Sequence, residues 1–496
     1  MLYSFITLYI DILLDKQYTY PYNVSVKVGG FMSYGRREIL TDAKQITSAN
    51  VVEEVRKAAT THAANRTEIQ TLYDYYCGKT AILHKEKEIR PEINHLVNEN
   101  RAFEIVQFHK GYVFGEPIQY VRREKSNENS NDDEIAADIN ALNGLLIDAG
   151  KIAGDGRLAE WMYIAGVGYR LALPNKAWTA DGDEAPFTIH TLDPRLTFVV
   201  RSNEVDRHPM MAVTIVERDQ NEKVYGVYTH DAYYEFSEFD GSATAVPHTL
   251  GAIPIVEYPA NAARLGVFEI VVSLIDAIDE LQSNRMDDIV QYVNSFLAIL
   301  GGELDEETYK RLNEWKTLCL PEGSDAKYLS QPMGQSDVQR LKDDLYQAML
   351  TICGIPNRNG GTSTSDTGQA VELRDGWSSA ETRAKSVEAE YKDADRAFLK
   401  LILRIMRDTV GTKLKLRDIS AHFTRRNYEN IATKSQVLVA MLSNPKIHPE
   451  LAFASSGMFT DPESAYLQSM AYYEEQMEKW EPTEVDEGEE DDVQVS

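Results

Sequence analysis

Several places in the chain carry side chains at spacings that could do chemistry, and each falls short of a complete site. Cys77-Gly78-Lys79-Thr80 ends like a phosphate-binding loop, where glycine amides cradle phosphate, lysine neutralises it and a hydroxyl holds magnesium. That motif needs a glycine five residues before Gly78, and Tyr73 stands there, so the nest of amides is not built. His422 with Arg425 and Arg426 has the residue types for acid–base cleavage of a phosphodiester. A surface or interface cluster after a predicted strand is the simpler reading. Carboxylate pairs abound, but with 78 Asp and Glu against 51 Lys and Arg any pair is background. Cys77, Cys319 and Cys353 are scattered, with no CxxC or Cys/His cluster, so neither a disulfide framework nor a zinc site is indicated. This suits a reducing compartment. No HExxH, GxSxG, GxGxxG or EF-hand pattern appears. No catalytic residue, metal ligand or cofactor is expected.

The elements say more than the side chains. A long amphipathic helix is predicted over 267–300, about 50 Å long, with Ile270, Leu274, Ile278, Leu281, Ile289, Val293, Phe296 and Leu300 on one face. Asp276, Asp279, Glu280, Asp287 and Asp288 make another face that reads as solvated. A shorter helix over 336–353 opens on Ser336-Asp-Val-Gln339, a capping-box pattern. Residues 354–368 form a loop of glycines and small hydroxyl residues, with Arg358 its only base. Asn357 and Asn359 flank that arginine and Gly360-Gly361 follow. A very long helix then runs over about 369–408. Ala370, Leu373, Trp377, Ala380, Ala384, Val387, Tyr391, Ala394, Phe398, Leu401 and Ile405 recur along it at steps of three and four. One chain has little obvious surface to cover so long a seam, so Trp377 and Leu401 are expected to pack between subunits.

The N-terminal half reads as α+β. Helices are expected over 41–76, the centre of 89–120 and 135–163, and strands near 168–173, 187–192, 196–200, 211–217, 224–228 and 232–236. A strand near 413–423 and helices over 430–442 and 461–480 close the chain. Residues 2–14 are apolar but interrupted by Asp11 and too short to span a bilayer. The residues before Met32 are expected to be dispensable, and no other segment could cross a membrane. The net charge of −27 argues against tight nucleic-acid binding, which needs clustered Lys and Arg. Part of that charge is a tail: 481–492 holds eight carboxylates and no base, and is expected to be disordered.

Ordered segments of this sequence resemble the portal, or head–tail connector, proteins of tailed bacteriophages, in the siphophage type from Gram-positive hosts. The most specific match is Asn94-His-Leu-Val-Asn-Glu-Asn100 through Gly111-Tyr-Val-Phe-Gly-Glu-Pro117. Leu72-Tyr-Asp-Tyr-Tyr-Cys-Gly78, Gly251-Ala-Ile-Pro-Ile-Val-Glu257 and Leu274 to Ser283 also match. So do Thr367-Gly-Gln-Ala-Val-Glu-Leu373 and His422-Phe-Thr-Arg-Arg-Asn427, with Thr367 where the family usually has serine.

The resemblance implies an α+β, mainly helical, portal-type subunit. Its parts would be an N-terminal extension (1–40), a wing (41–265), a first stem helix (266–300), a clip (301–334) and a second stem helix (335–353). A tunnel loop (354–368), the long helix (369–412), a late wing strand with crown (413–480) and the acidic tail (481–496) would follow. It implies a ring of about twelve copies at a capsid vertex. Double-stranded DNA would pass through without sequence recognition. Asn357, Arg358, Asn359, Gly360 and Gly361 would face the channel. Trp315, Leu318 and Leu320 in the clip would dock the terminase large subunit and later a head-completion adaptor. Scaffold and major capsid protein are the other implied partners, and the place is the virion, after assembly in the host cytoplasm. A virion protein that forms no portal, or an enzyme with an unrecognised site, are the competing readings.

Overall fold

Period-two alternation in the N-terminal half becomes two sheets, and period-3.6 stripes in the C-terminal half become helices laid against them. The structure, a computed structural model, describes residues 35–87, 91–123, 132–218, 222–239, 243–293, 296–300, 325–329, 335–357, 376–425, 431–459 and 462–480. In chain order these hold β1 (Ile39–Thr41), α1 (Val51–Tyr76), α2 (Arg101–Phe114), β2 (Gln119–Arg122), α3 (Asp132–Asp148), α4 (Lys151–Ala165), β3 (Val167–Pro174) and β4 (Phe187–Leu192). Then come β5 (Thr197–Ser202), β6 (Pro209–Glu217), β7 (Lys223–Tyr228), β8 (Ala232–Phe236), β9 (Ala245–Pro247) and β10 (Ile255–Pro259). The C-terminal half holds α5 (Val272–Val293), β11 (Phe296–Leu300), β12 (Asp325–Leu329), α6 (Gln335–Cys353), α7 (Trp377–Thr409), β13 (Ile419–His422), α8 (Ile431–Leu442), α9 (Pro449–Ser456) and α10 (Pro462–Trp480).

The larger sheet has the order β1-β5-β6-β7-β8-β9, with β1 parallel to β5 and the rest an antiparallel meander. Helix α1 lays Val51, Val52, Val55 and Ala58 on the sheet core of Phe198, Val200, Val213 and Val227. The smaller sheet, β10-β3-β4, lies under α7. Strands β2 and β13, far apart in sequence, pair antiparallel, Gln119 opposite His422.

Four expectations about the elements change. The helix expected from residue 41 starts at Val51, because residues 39–41 add to the sheet edge beside β5. The helix expected over 135–163 is two, α3 and α4, broken where Gly150 takes φ 73°. The helix expected to reach residue 300 ends at Val293; its last apolar run pairs as β11 with β12, Phe296 opposite Leu329, so a hairpin closes the base of the insert. Helix α9, with Pro449 at its first position and the His448 side chain accepting from the Glu450 amide at 3.3 Å, was not foreseen.

The largest correction concerns the seam. Much of the stripe of α7 is covered by its own chain: Ala384, Tyr391, Phe398, Leu401 and Ile405 are buried in one core with Tyr120, Leu158, Met162, Phe187, Val256 and Tyr258. Leu401 is 2% exposed, so no face of it is left for a neighbouring subunit. Trp377 is half-buried and stands over Phe108 and Tyr112 of α2, with ring centroids 6.3 and 5.9 Å apart. From Ala384 to Ile405 the buried positions of the seam are an intrachain core. Among the described residues no helix is long and apolar enough to cross a membrane.

Candidate functional site

The helices α5 and α6 pack side by side, and their inner face joins α2 and α4 in one core of Ile105, Val106, Ala159, Phe268, Ile275, Ile278, Met349, Leu350 and Cys353. What holds this pair in place is polar. The face of α5 expected to be solvated is buried where it meets the segment before α2: Asp279, Ser283 and Asp287 are each at most 1% exposed. Asp287 Oδ1 accepts the His95 amide at 2.8 Å, Ser283 Oγ accepts the Val97 amide at 2.9 Å, and Asp279 Oδ1 accepts the Glu99 amide at 3.0 Å. The register follows from geometry. Four helical residues rise about 6 Å and two extended residues about 6.6 Å, so acceptors at every fourth position meet amides at every second.

The other face of this clasp is closed as well. Thr80 Oγ1 donates to Asp279 Oδ2 at 2.9 Å, Lys85 Nζ to Asn284 at 2.7 Å, and Lys87 ion-pairs with Asp287. Asn94 Nδ2 donates to the Lys85 carbonyl at 2.8 Å, and Asn98 Nδ2 to the Gly78 carbonyl. Asn100, at φ 43°, caps α2 by accepting the Phe103 amide at 3.2 Å. The asparagines of the 94–100 segment are thus backbone staples. Thr80, the last residue of the apparent phosphate loop, spends its hydroxyl on Asp279, which is a structural use.

Burial and two like charges, Asp279 and Glu280, push the Asp276 carboxyl up to about 6, although Tyr75 donates to it at 2.8 Å. Burial also raises Asp279. Burial works the other way on Asp287 than its partners do: the Lys87 ammonium and the His95 donors win and hold it below the usual carboxylate range.

The segment that was expected to face a channel leaves and rejoins the described structure on one helix. At its start, His109 of α2 donates from Nε2 to the Cys353 carbonyl at 3.0 Å. Burial lowers that imidazole to about 4, so the ring is neutral near pH 7. Gly354 follows at φ 70°, and a Cβ there would sit 2.3 Å from Arg383 Cδ. At the far end Gly376, at φ 88°, opens α7, and the Trp377 ring lies tilted against Phe108 and Tyr112, residues that flank His109 on α2. Tyr112 also donates to Glu381 at 3.0 Å, and Arg425 ion-pairs with Glu381 and Glu388. Of the residues named from the sequence, Asn357 lies at the edge of the described region. Arg358, Asn359, Gly360, Gly361, Trp315, Leu318 and Leu320 lie outside it.

A second polar assembly, unseen in the sequence, fixes α7 to the small sheet. Arg170, fully buried, ion-pairs with Asp155 and, at 3.7 Å, with Asp395. Lys151 donates to Asp155 at 2.6 Å, Tyr391 to Asp155 at 2.9 Å, and Tyr120 and Tyr258 to Asp395 at 2.7 and 2.9 Å. Two cations face two carboxylates, and each carboxylate oxygen has a donor. Such a network is a rivet: no solvent-facing group is poised to take or give a proton. The one group of potential metal ligands among the described residues, Glu204, Asp206 and His208, is exposed on a hairpin turn, and His208 pairs with Asp206 there at 2.9 Å.

Long helices laid on two sheets and tied to them by buried ion-pair and hydrogen-bond networks define a fold of mixed helix and sheet. Residues 56–490 match the family model described as "Phage portal protein, SPP1 Gp6-like", and the chain belongs to that family. The family is structural, so this is a virion protein and not an enzyme. Among curated proteins none matches the chain. Among solved structures, a chain of the "Neck of empty GTA particle computed with C6 symmetry" is 14% identical, with a TM-score of 0.41, over 72% of this chain and 90% of that one. A chain of the "Neck of native GTA particle computed with C12 symmetry" is 13% identical, with a TM-score of 0.40, over 72% and 89%.

Proposed function

We propose that copies of this chain form the ring at one capsid vertex through which double-stranded DNA enters and leaves the head. Family membership over 56–490 carries this reading. The anchoring of both ends of the 354–376 segment on α2 supports a loop held at a defined place while its centre meets DNA. Arg358, with Asn357, Asn359, Gly360 and Gly361, would supply contacts to passing phosphates without reading bases. The insert closed by β11 and β12 would be the clip, docking the terminase large subunit during packaging and a head-completion adaptor afterwards through Trp315, Leu318 and Leu320. Scaffold and major capsid protein would contact the rest of the ring during assembly. The phage would be of the siphophage type with a Gram-positive host.

Native mass spectrometry and negative-stain imaging of the purified protein test the ring. The expected result is a disc of about a dozen subunits with a central hole. A monodisperse monomer under assembly conditions would overturn it. Rings carrying Trp315→Ala should still assemble and lose terminase binding; normal binding would remove the clip assignment.

A further inference from the structure

The outer face of α7 bears a run of cations that no described residue neutralises. Arg396, Lys400, Arg404 and Arg407 follow one another at steps of four, four and three, which places them on one face of the helix. All four are exposed, and none makes an ion pair or hydrogen bond among the described residues. The run continues past the helix end. The backbone amides of Val410 and Gly411 both donate to the Met406 carbonyl at 2.9 Å, and Gly411 turns the chain at φ 73°. Lys413, Lys415 and Arg417 follow, exposed, with the 416–418 turn resting on α7. From 396 to 418 there are seven basic residues and two carboxylates, Asp408 and Asp418, the latter 3.5 Å from Arg417, in a chain of net charge −27. On the same helix Lys385 and Lys392 take partners one turn back, Glu381 and Glu388. The stripe is therefore a place where the sequence withholds its abundant acids.

We propose that this stripe is the docking face for the acidic segment 481–492 of this chain, supplied by the same or a neighbouring copy. The charges are complementary in kind, eight carboxylates without a base against seven cations with two acids, of which Asp418 pairs only with Arg417. Tethering gives the segment an effective concentration in the millimolar range, which a free polyanion rarely meets. The segment begins directly after Trp480, the last residue of α10, and twelve extended residues reach about 40 Å. Docking covers a basic stripe on a protein of net charge −27. DNA that meets the assembly then finds no patch to stick to. This inference does not depend on the ring.

A zero-length carbodiimide cross-link on the full, unaltered chain tests it by joining lysine to carboxylate. Mass spectrometry should find Lys400, Lys413 and Lys415 joined to carboxylates within 481–492, with the yield falling at high salt. Cross-links from these lysines only to other carboxylates would overturn the proposal. In a second measurement, the carboxylates of 481–492 are changed to amides in the full chain. Affinity for a short DNA duplex at low salt should rise at least about tenfold, and the rise should vanish when Arg396, Lys400, Arg404 and Arg407 are also changed to Glu. An equal rise with the stripe reversed would mean that only net charge has changed. Tight duplex binding at the stripe in the unaltered chain would mean that the face takes nucleic acid. Either result overturns the assignment.

Discussion

At the scale of single residues, acidity hides position. With so many carboxylates, Asp276, Asp279 and Asp287 look like one more solvated helix face, yet they hold the clasp on α5. Asp155 and Asp395 are as ordinary in the sequence and sit at the centre of the Arg170 rivet. Nothing in residue type separates a buried carboxylate from a surface one; only the partners brought by other elements do. Asp276 offers the sharpest test, because its carboxyl is pushed up to about 6 by burial. A raised folded-state value means that the folded protein binds this proton more tightly than the unfolded chain does. The contribution is therefore full below the unfolded value near 4 and is lost as the pH rises through about 6. Partial solvent access trims the effect to about 1–2 kcal/mol. Asp276→Asn, which still accepts from Tyr75, should be more stable than the parent at pH 7.5 by that amount and equal to it at pH 4. Denaturant midpoints at the two pH values measure the difference. A parent that gains nothing on acidification relative to the variant would show that Asp276 is not buried against its neighbours.

At the scale of elements, periodicity reports apolar faces and is silent on who covers them. The strands over 187–236 were legible because alternation of period two over short runs has few other readings. The stripe of α7 was legible as a stripe, but a seam facing another subunit and a seam facing one's own sheet have the same spacing. The run 296–300, aromatic and branched, fits the end of a helix or a strand, and pairing with 325–329 decides it. Leu401 now belongs to stability. Leu401→Ala should cost about 2–5 kcal/mol through the cavity it leaves, read as a lower unfolding midpoint of the subunit at unchanged subunit number in whatever folds. Trp377→Ala acts on a half-buried ring held by Phe108 and Tyr112. It should cost less, about 1–2 kcal/mol, and loosen the start of α7, seen as faster amide exchange over its first turns. If Leu401→Ala leaves the midpoint alone and only lowers the subunit number, the intrachain assignment of the seam fails.

At the scale of the whole molecule, the described contacts tie together the helices on either side of 354–376. The long helix is riveted at its middle by Asp395 and Tyr391 and pinned at its start by Trp377, and α6 is pinned at its end by His109. Gly354 and Gly376, both at positive φ, bound the loop region. In the portal reading, force on the loop would pass into α2, which the clasp in turn ties to α5. Changing the loop's length while keeping both glycines and both anchors should therefore leave folding and ring formation intact. Removing residues 359–363 makes such a change. In the portal reading, the shortened ring should form a disc of normal subunit number and stability. It should package less DNA or lose it after packaging, measured as nuclease-protected DNA per particle. Arg358→Ala alone separates charge from shape: if it reproduces the deletion, the guanidinium makes the contact, and if only the deletion acts, the loop works by its length. Normal packaging and retention by both variants would leave the loop without a part in holding DNA, and the anchors on α2 would then serve only to join two helices.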